Sequence, residues 1–156
     1  RGIELGYSPA EVEAGRALRG QLKDDAVMAD IAAAAAVVSG RPLGIVGFCF
    51  GGTVAWWGAT RTNLFGAASC WYGGGIAATR TETPHCPVQM HFGEKDTSIP
   101  MSDVEAIRAA QPSAEIHVYP GAQHGFGCDE RGSFSPDDAD VAMRRTLDFL
   151  ALNLGG

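Results

Sequence analysis

Three residues whose types can share a nucleophilic displacement each follow a short apolar run at a turn signal: Cys49, Asp96 and His124. Cys49 is the centre of Gly47-Phe48-Cys49-Phe50-Gly51-Gly52, with an apolar run before it and a helical segment after it. A strand–turn–helix elbow of this kind holds its middle residue on a tight, strained turn above a sheet. Glycines two positions either side are expected because a Cβ there would collide across the turn. The following helix begins at the thiol, and its N-terminal dipole favours thiolate. The backbone N–H of Phe50 then falls where an oxyanion would develop. Taken alone, the segment equally describes a buried structural cysteine, a common fate of free thiols. A phosphate-binding loop is excluded, because no Lys-Ser/Thr follows Gly52. Asp96, in Gly93-Glu94-Lys95-Asp96, reads alone as a turn residue, and His124, in Pro120-Gly121-Ala122-Gln123-His124-Gly125-Phe126, as a loop histidine. Together the three read as a unit. Cys49 attacks a carbonyl carbon, His124 takes the thiol proton and returns it to the leaving oxygen, and Asp96 orients the imidazole. Water activated by His124 then cleaves the thioester.

Such a unit needs elements that bring residues 49, 96 and 124 to one place. Ser8-Pro9-Ala10-Glu11 is a capping box with proline at the first helical position, and predicts a helix to about Leu22. Asp24 or Asp25 caps a second helix with Met28, Ile31, Ala35 and Val38 at helical spacing, which Ser39-Gly40 stops. Residues 43–48 are apolar on both faces, as in a buried strand of a parallel sheet. Helix is predicted over 51–60, strands over 67–71 and 88–92, and a strand over 115–119. Ser102-x-x-Glu105 predicts a capped helix to about Gln111, ended by Pro112. Ser135-Pro136-Asp137-Asp138 opens a last helix with Val141, Leu147 and Leu150 toward the core. Alternating helix and strand, without internal repeats, predicts one α/β domain over residues 1–156 with a mostly parallel sheet flanked by helices. Sites in such sheets form at the carboxyl ends of strands, after residues 48, 71, 92 and 119. All three candidate residues fall there, in the chain order Cys, Asp, His, which is the order of α/β-hydrolases.

The bulk numbers narrow the alternatives. The chain has 156 residues, 46% hydrophobic and 19% charged, enough apolar material for one core. Its net charge of −6 argues against a nucleic-acid partner and against anionic membranes. The four cysteines (Cys49, Cys70, Cys86 and Cys128) form no Cys-x-x-Cys pair, so zinc ribbons and dithiol redox motifs lack support. Free thiols predict a cytoplasmic protein, and no leader or long apolar run is evident. Trp71 and Tyr72 end the second strand, where they either line the pocket or pack in the core. At least one of Trp56 and Trp57 packs. His85 and Cys86 would need further ligands to hold a metal, and none is evident, so no metal site is expected. His91 reads as a satisfied structural histidine, His117 as outward-facing and Cys128 as an inert loop cysteine. The Asp137–Asp140 run reads as a helix start favoured by the dipole, not a calcium loop.

At these residues the chain resembles the dienelactone hydrolase family. The matching pieces are Gly44–Gly52 with its elbow cysteine, Trp71-Tyr72-Gly73, Gly93-Glu94-Lys95-Asp96, Gly121–Phe126 and the closing Arg145–Leu150. The likeness runs from about residue 8 to the end. It implies hydrolysis of a dienelactone or related small ester, without a cofactor, by Cys49, His124 and Asp96, with Phe50 in the oxyanion hole and Trp71, Tyr72 and Phe126 toward the substrate. The family also has an N-terminal section with further strands, a second oxyanion donor, a glutamate that meets the cysteine and a carboxylate-binding arginine. None of these is found in this chain, which is therefore expected to be N-terminally incomplete. No arginine directly follows His124, and Arg131 or Arg80 is the candidate substitute. Without further strands, the strand at 43–48 would lie at the sheet edge, so a second copy or a partner is expected to cover it. Two other functions share the same residues: a thioesterase or acyl transferase, and a catalytically impaired fragment of the fold.

Overall fold

The computed structural model describes residues 2–38, 40 and 42–155. Its elements run α1 (Pro9–Arg19), α2 (Asp24–Val37), β1 (Gly44–Phe48), α3 (Phe50–Arg61), β2 (Ala67–Trp71), a 3-10 turn (Ala77–Thr79), β3 (Val88–Gly93), α4 (Met101–Ala110), β4 (Glu115–Tyr119) and α5 (Pro136–Leu154). The four strands pair in parallel in the order β1-β2-β3-β4. Every connection is therefore a crossover to the adjacent strand, and all four carboxyl ends share one edge of the sheet.

Alternation along β2 separates the two faces. Ser69 and Trp71 reach Thr146 of α5, at 3.0 and 3.1 Å. Ala68 and Cys70 must point the other way, to the face where α3 packs on β1 and β2. Both inner strands are buried throughout, as strands of a parallel sheet covered on both faces should be, with Ser69, Gln89 and His91 the polar residues among them. On the α5 face the core includes a polar chain. His91 bonds Tyr119 Oη and Gln89 Oε1, each at 2.8 Å, and Thr146 Oγ1 at 3.1 Å. Burial, with His117 and Arg145 nearby, pushes His91 down to about 3, so it sits there as a neutral hydrogen-bonding residue.

Several expectations need correction. β1 is an edge strand, paired only with β2, and Val46 and Phe48 remain 37% and 39% exposed, so it is not buried on both faces. The first helix ends at Arg19, capped by Gly20, not at Leu22. Lys23, not Asp24 or Asp25, precedes α2, without a side-chain cap, and Val38 lies beyond the helix and is exposed, leaving Met28, Ile31 and Ala35 to make the contact. The stop expected at Ser39-Gly40 falls partly on Ser39, outside the described residues. Ser102 lies inside α4, which starts after Pro100, so the Ser102–Glu105 box does not form. On α5 Ala142, Thr146 and Phe149 are buried and Val141 packs half-buried against the core as expected, while Leu147 is 58% exposed. Thr146 on this face satisfies buried polar groups of β2 and β3. Both Trp56 and Trp57 are buried.

Candidate active site

The loops after β1, β3 and β4 carry Cys49, Asp96 and His124 to the common carboxyl edge. Cys49 sits between β1 and α3 with φ 54° and ψ −120°, a conformation that side-chain-bearing residues seldom adopt. Its N–H bonds the Trp71 carbonyl at 3.0 Å, which fixes the turn to the end of β2. The elbow glycines divide unequally. A Cβ on Gly47 would overlap the Gly51 carbonyl, and one on Gly52 would overlap the Trp71 carbonyl and crowd Gly73. A Cβ on Gly51 would meet nothing. The expectation that both glycines two positions from the cysteine are sterically required thus holds for Gly47 and fails for Gly51. Gly52 is the second position that cannot carry a side chain.

Asp96 is held from the opposite side. Its Oδ1 accepts the N–H groups of Ser98 (2.8 Å) and Ile99 (3.1 Å), and its Oδ2 meets His124 Nδ1 at 2.7 Å. The carboxyl group is buried, so these contacts replace its water. The two loops that carry Asp96 and His124 are laced together. Lys95 N–H bonds the Ala122 carbonyl at 2.8 Å, and a Cβ at Gly93 would clash with that same carbonyl. Ser133 Oγ donates to the His124 carbonyl at 2.7 Å, and Gly125 takes φ 75° directly after it.

With Nδ1 turned to Asp96, the imidazole presents Nε2 to Cys49 Sγ at 3.2 Å. The hydrogen bond to His124 lowers the Cys49 thiol below its ordinary range. Burial opposes that shift, while the His124 charge, a backbone hydrogen bond from Phe50 and the Arg131 charge support it. For His124, burial disfavours the charged ring most, but the hydrogen bonds and charges of Asp96 and Cys49 together outweigh it and lift the ring to about 9. The two shifts describe one interaction, a thiolate facing an imidazolium. Such a pair can attack an electrophilic carbon and then protonate a leaving group.

A cavity of about 490 Å³ opens over Cys49 and His124. Phe50, Thr53, Gly74, Gly75 and Ser98 line its floor side. Its far wall comes from the N-terminal segment and α1, including Leu5, Tyr7, Val12 and Gly15. Arg16, Arg19 and Arg131 outnumber its one carboxylate, Glu11, and make it cationic in a chain of net charge −6. Arg131 is thus at the cavity. Arg80 is not among the lining residues and donates to the Ala77 carbonyl at 2.6 Å. Trp71, Tyr72 and Phe126, expected toward the substrate, are 1%, 2% and 0% exposed and do not line the cavity. They form the layer beneath it, with Trp71 stacked on Phe126 at 5.8 Å and Tyr72 edge-on to His124 at 5.3 Å. Cys128 contacts Tyr7 Oη at 3.3 Å. Among the described residues no group of His, Cys, Asp and Glu is placed to hold a metal ion, and no helix is long and apolar enough to cross a membrane. The contribution of α1 was missed because nothing in its eleven residues points to a distant loop. The Gly73–Gly75 run after β2 was the available signal for the opposite wall.

Residues 3–154 match the model of the dienelactone hydrolase family. A Synechocystis protein named "putative carboxymethylenebutenolidase" is 36% identical over 164 residues, covering 92% of this chain and 66% of that protein. A Yersinia pestis protein of the same name is 37% identical over 123 residues, covering 70% of this chain and 46% of its own length. A crystal structure of a "putative dienelactone hydrolase" from Klebsiella pneumoniae superposes with a TM-score of 0.74 at 34% identity, over 85% of this chain and 63% of that one. The chain spans about half to two thirds of the length of these relatives.

Proposed function

The chain belongs to the dienelactone hydrolase family, and we propose from that premise that it hydrolyses a small ester or lactone through a covalent thioester on Cys49. The observation that carries this reading is the 3.2 Å approach of His124 Nε2 to the sulfur at a strained elbow, with Asp96 at 2.7 Å behind the ring.

The Cys49 thiolate adds to the carbonyl carbon, and the carbonyl π pair moves onto oxygen. The Phe50 N–H lies beside the sulfur, where it can bond that oxyanion. When the oxyanion reforms the carbonyl, the bond to the alcohol oxygen breaks, and that oxygen takes the Nε2 proton from His124. In a lactone the leaving oxygen stays tethered as a new hydroxyl or enol. The neutral imidazole then takes a proton from water as the water oxygen adds to the thioester. Collapse of that adduct releases the carboxylic acid, and the pair returns as thiolate and imidazolium. Asp96 keeps Nδ1 as the donor throughout, so only Nε2 exchanges protons with the reactants. Of the three arginines at the cavity, Arg131 also favours the thiolate by its charge, and it is the one we assign to receive a carboxylate on the substrate.

Purified protein should turn over a small activated ester or a dienelactone. Cys49→Ala should lower kcat by at least about 10³-fold with the fold intact. Unchanged turnover in that variant would contradict the assignment. An acyl group retained on Cys49 without turnover would favour the impaired-fragment reading instead.

A further inference from the structure

We propose that α1 and the strap before it form a hinged wall of the cavity, latched to the body by Tyr7 and by Arg19. This inference rests on the cavity being the substrate site, but its test does not require turnover.

The helix is built to hold itself together and to hold little else. The Ser8–Glu11 capping box satisfies its first turn, with Glu11 also accepting the Gly6 N–H at 3.0 Å. Gly20 N–H closes the last turn on the Arg16 and Leu18 carbonyls. Yet α1 buries none of its eleven residues, whereas α3, on the opposite wall, buries eight of twelve. Most helix stability in proteins comes from packing, so a helix that buries nothing detaches far more readily than the body unfolds.

Three side-chain contacts tie this unit down. The Arg19 guanidinium lies over the Phe50 ring at 4.4 Å. The Arg131 guanidinium lies over the Tyr7 ring at 4.9 Å, and Tyr7 Oη meets Cys128 Sγ at 3.3 Å. All three are exposed or half-buried groups. Residues 20–23, all exposed, connect α1 to α2, and α2 stays on the body through Ile31 and Ala35. They are the natural hinge. The face that α1 turns to the cavity carries Val12 and Gly15, with Leu5 against Gly15, opposite Cys49 and His124. Swinging this wall would enlarge the mouth without touching the Cys49–His124–Asp96 contacts.

Peptide-resolved hydrogen exchange and alkylation test this directly. Amides of α1 should exchange at least a hundredfold faster than those of α3 in the parent protein. Tyr7→Ala and Arg19→Ala should each speed labelling of Cys49 by a bulky maleimide several-fold, read on the Cys49 peptide because Cys128 also becomes accessible. Labelling of Cys49 by iodoacetamide, small enough to enter either way, should change less than twofold. Tyr7→Phe, which keeps the ring under Arg131, should lie between parent and Tyr7→Ala. Slow exchange of α3 in every variant serves as the check on folding. Protection of α1 equal to that of α3 would overturn the hinge, as would maleimide labelling that ignores both substitutions. Loss of hydrolysis alone would bear on the proposed reaction and leave these readouts intact.

Discussion

An unassisted thiol is a poor nucleophile at neutral pH because little of it is ionised, and the chemistry here turns on what surrounds one sulfur. The imidazole beside Cys49 both depresses the thiol and is itself raised, so the pair holds one proton between the two ordinary values. The sign of the pH dependence follows. In the proposed reaction activity requires the thiolate, so it should rise as pH climbs through the depressed Cys49 value. It also requires a proton on Nε2 for the leaving group, so it falls as pH passes through the raised His124 value near 9. A pH profile of kcat/KM should be bell-shaped with its alkaline limb near 9. Asp96 is one of the groups that raise the ring, so Asp96→Asn should move that limb to lower pH while lowering kcat/KM. A limb that stays in place in this variant would separate Asp96 from the imidazole. Residue types and turn signals made Cys49, Asp96 and His124 legible in the sequence. Trp71, Tyr72 and Phe126 were not legible as a supporting layer, because an aromatic at a strand end looks alike whether it faces the cavity or lies beneath it.

At the scale of elements, the elbow shows where local pattern ends and packing begins. Gly47 and Gly52 face backbone of a neighbouring turn and strand, whereas Gly51 faces open space in the first turn of α3. Gly47→Ala should therefore destabilise the fold by about 2 kcal/mol or more, in the range of strained or overpacked core changes. Gly51→Ala should be neutral, or stabilising by up to about 1 kcal/mol, since it adds helix propensity without a clash. Chemical denaturation of the two variants would decide this, and equal losses would contradict the geometry. A symmetric reading of Gly-x-Cys-x-Gly could not distinguish these positions, because Gly47 is crowded by the way the turn folds back on Gly51 and Gly52, and Gly52 by residues 71 and 73 at the end of β2 and just after it. The same limit explains α5. Helical spacing brought out Val141, which packs against the core, but also Leu147, which is exposed, and it missed Thr146, whose hydroxyl meets Ser69, Trp71 and His91. Strands 67–71 and 115–119 were legible to the residue because short runs of small, apolar or alternating residues are bounded by turn residues, Gly66 before the first and Pro120-Gly121 after the second.

For the molecule as a whole, the consequence is the open side of the sheet. Among the described residues β1 pairs with β2 alone, and Val46 and Phe48 on its α5 face are more than a third exposed. An apolar edge of this kind pairs with whatever strand is offered. The chain as given should self-associate with rising concentration, and Val46→Lys should shift it toward monomer in sedimentation; identical behaviour of parent and variant would remove the edge as the cause. The domain's parallel architecture was legible from its alternating elements, and the exposed edge from the lack of a strand before residue 43. The roof over the cavity was not legible, since it depends on Tyr7 meeting residues 128 and 131, more than a hundred positions away. The proposed reaction turns on one bond, between the substrate's acyl carbon and the Cys49 sulfur. The most direct test is to mix the protein with an activated ester, quench in acid within one turnover and map the acyl group by peptide mass. The account predicts a single acyl group, on Cys49, and none on Cys70, Cys86 or Cys128. Acylation at any other residue, or product formed with no acyl-Cys49 at any time, would contradict it.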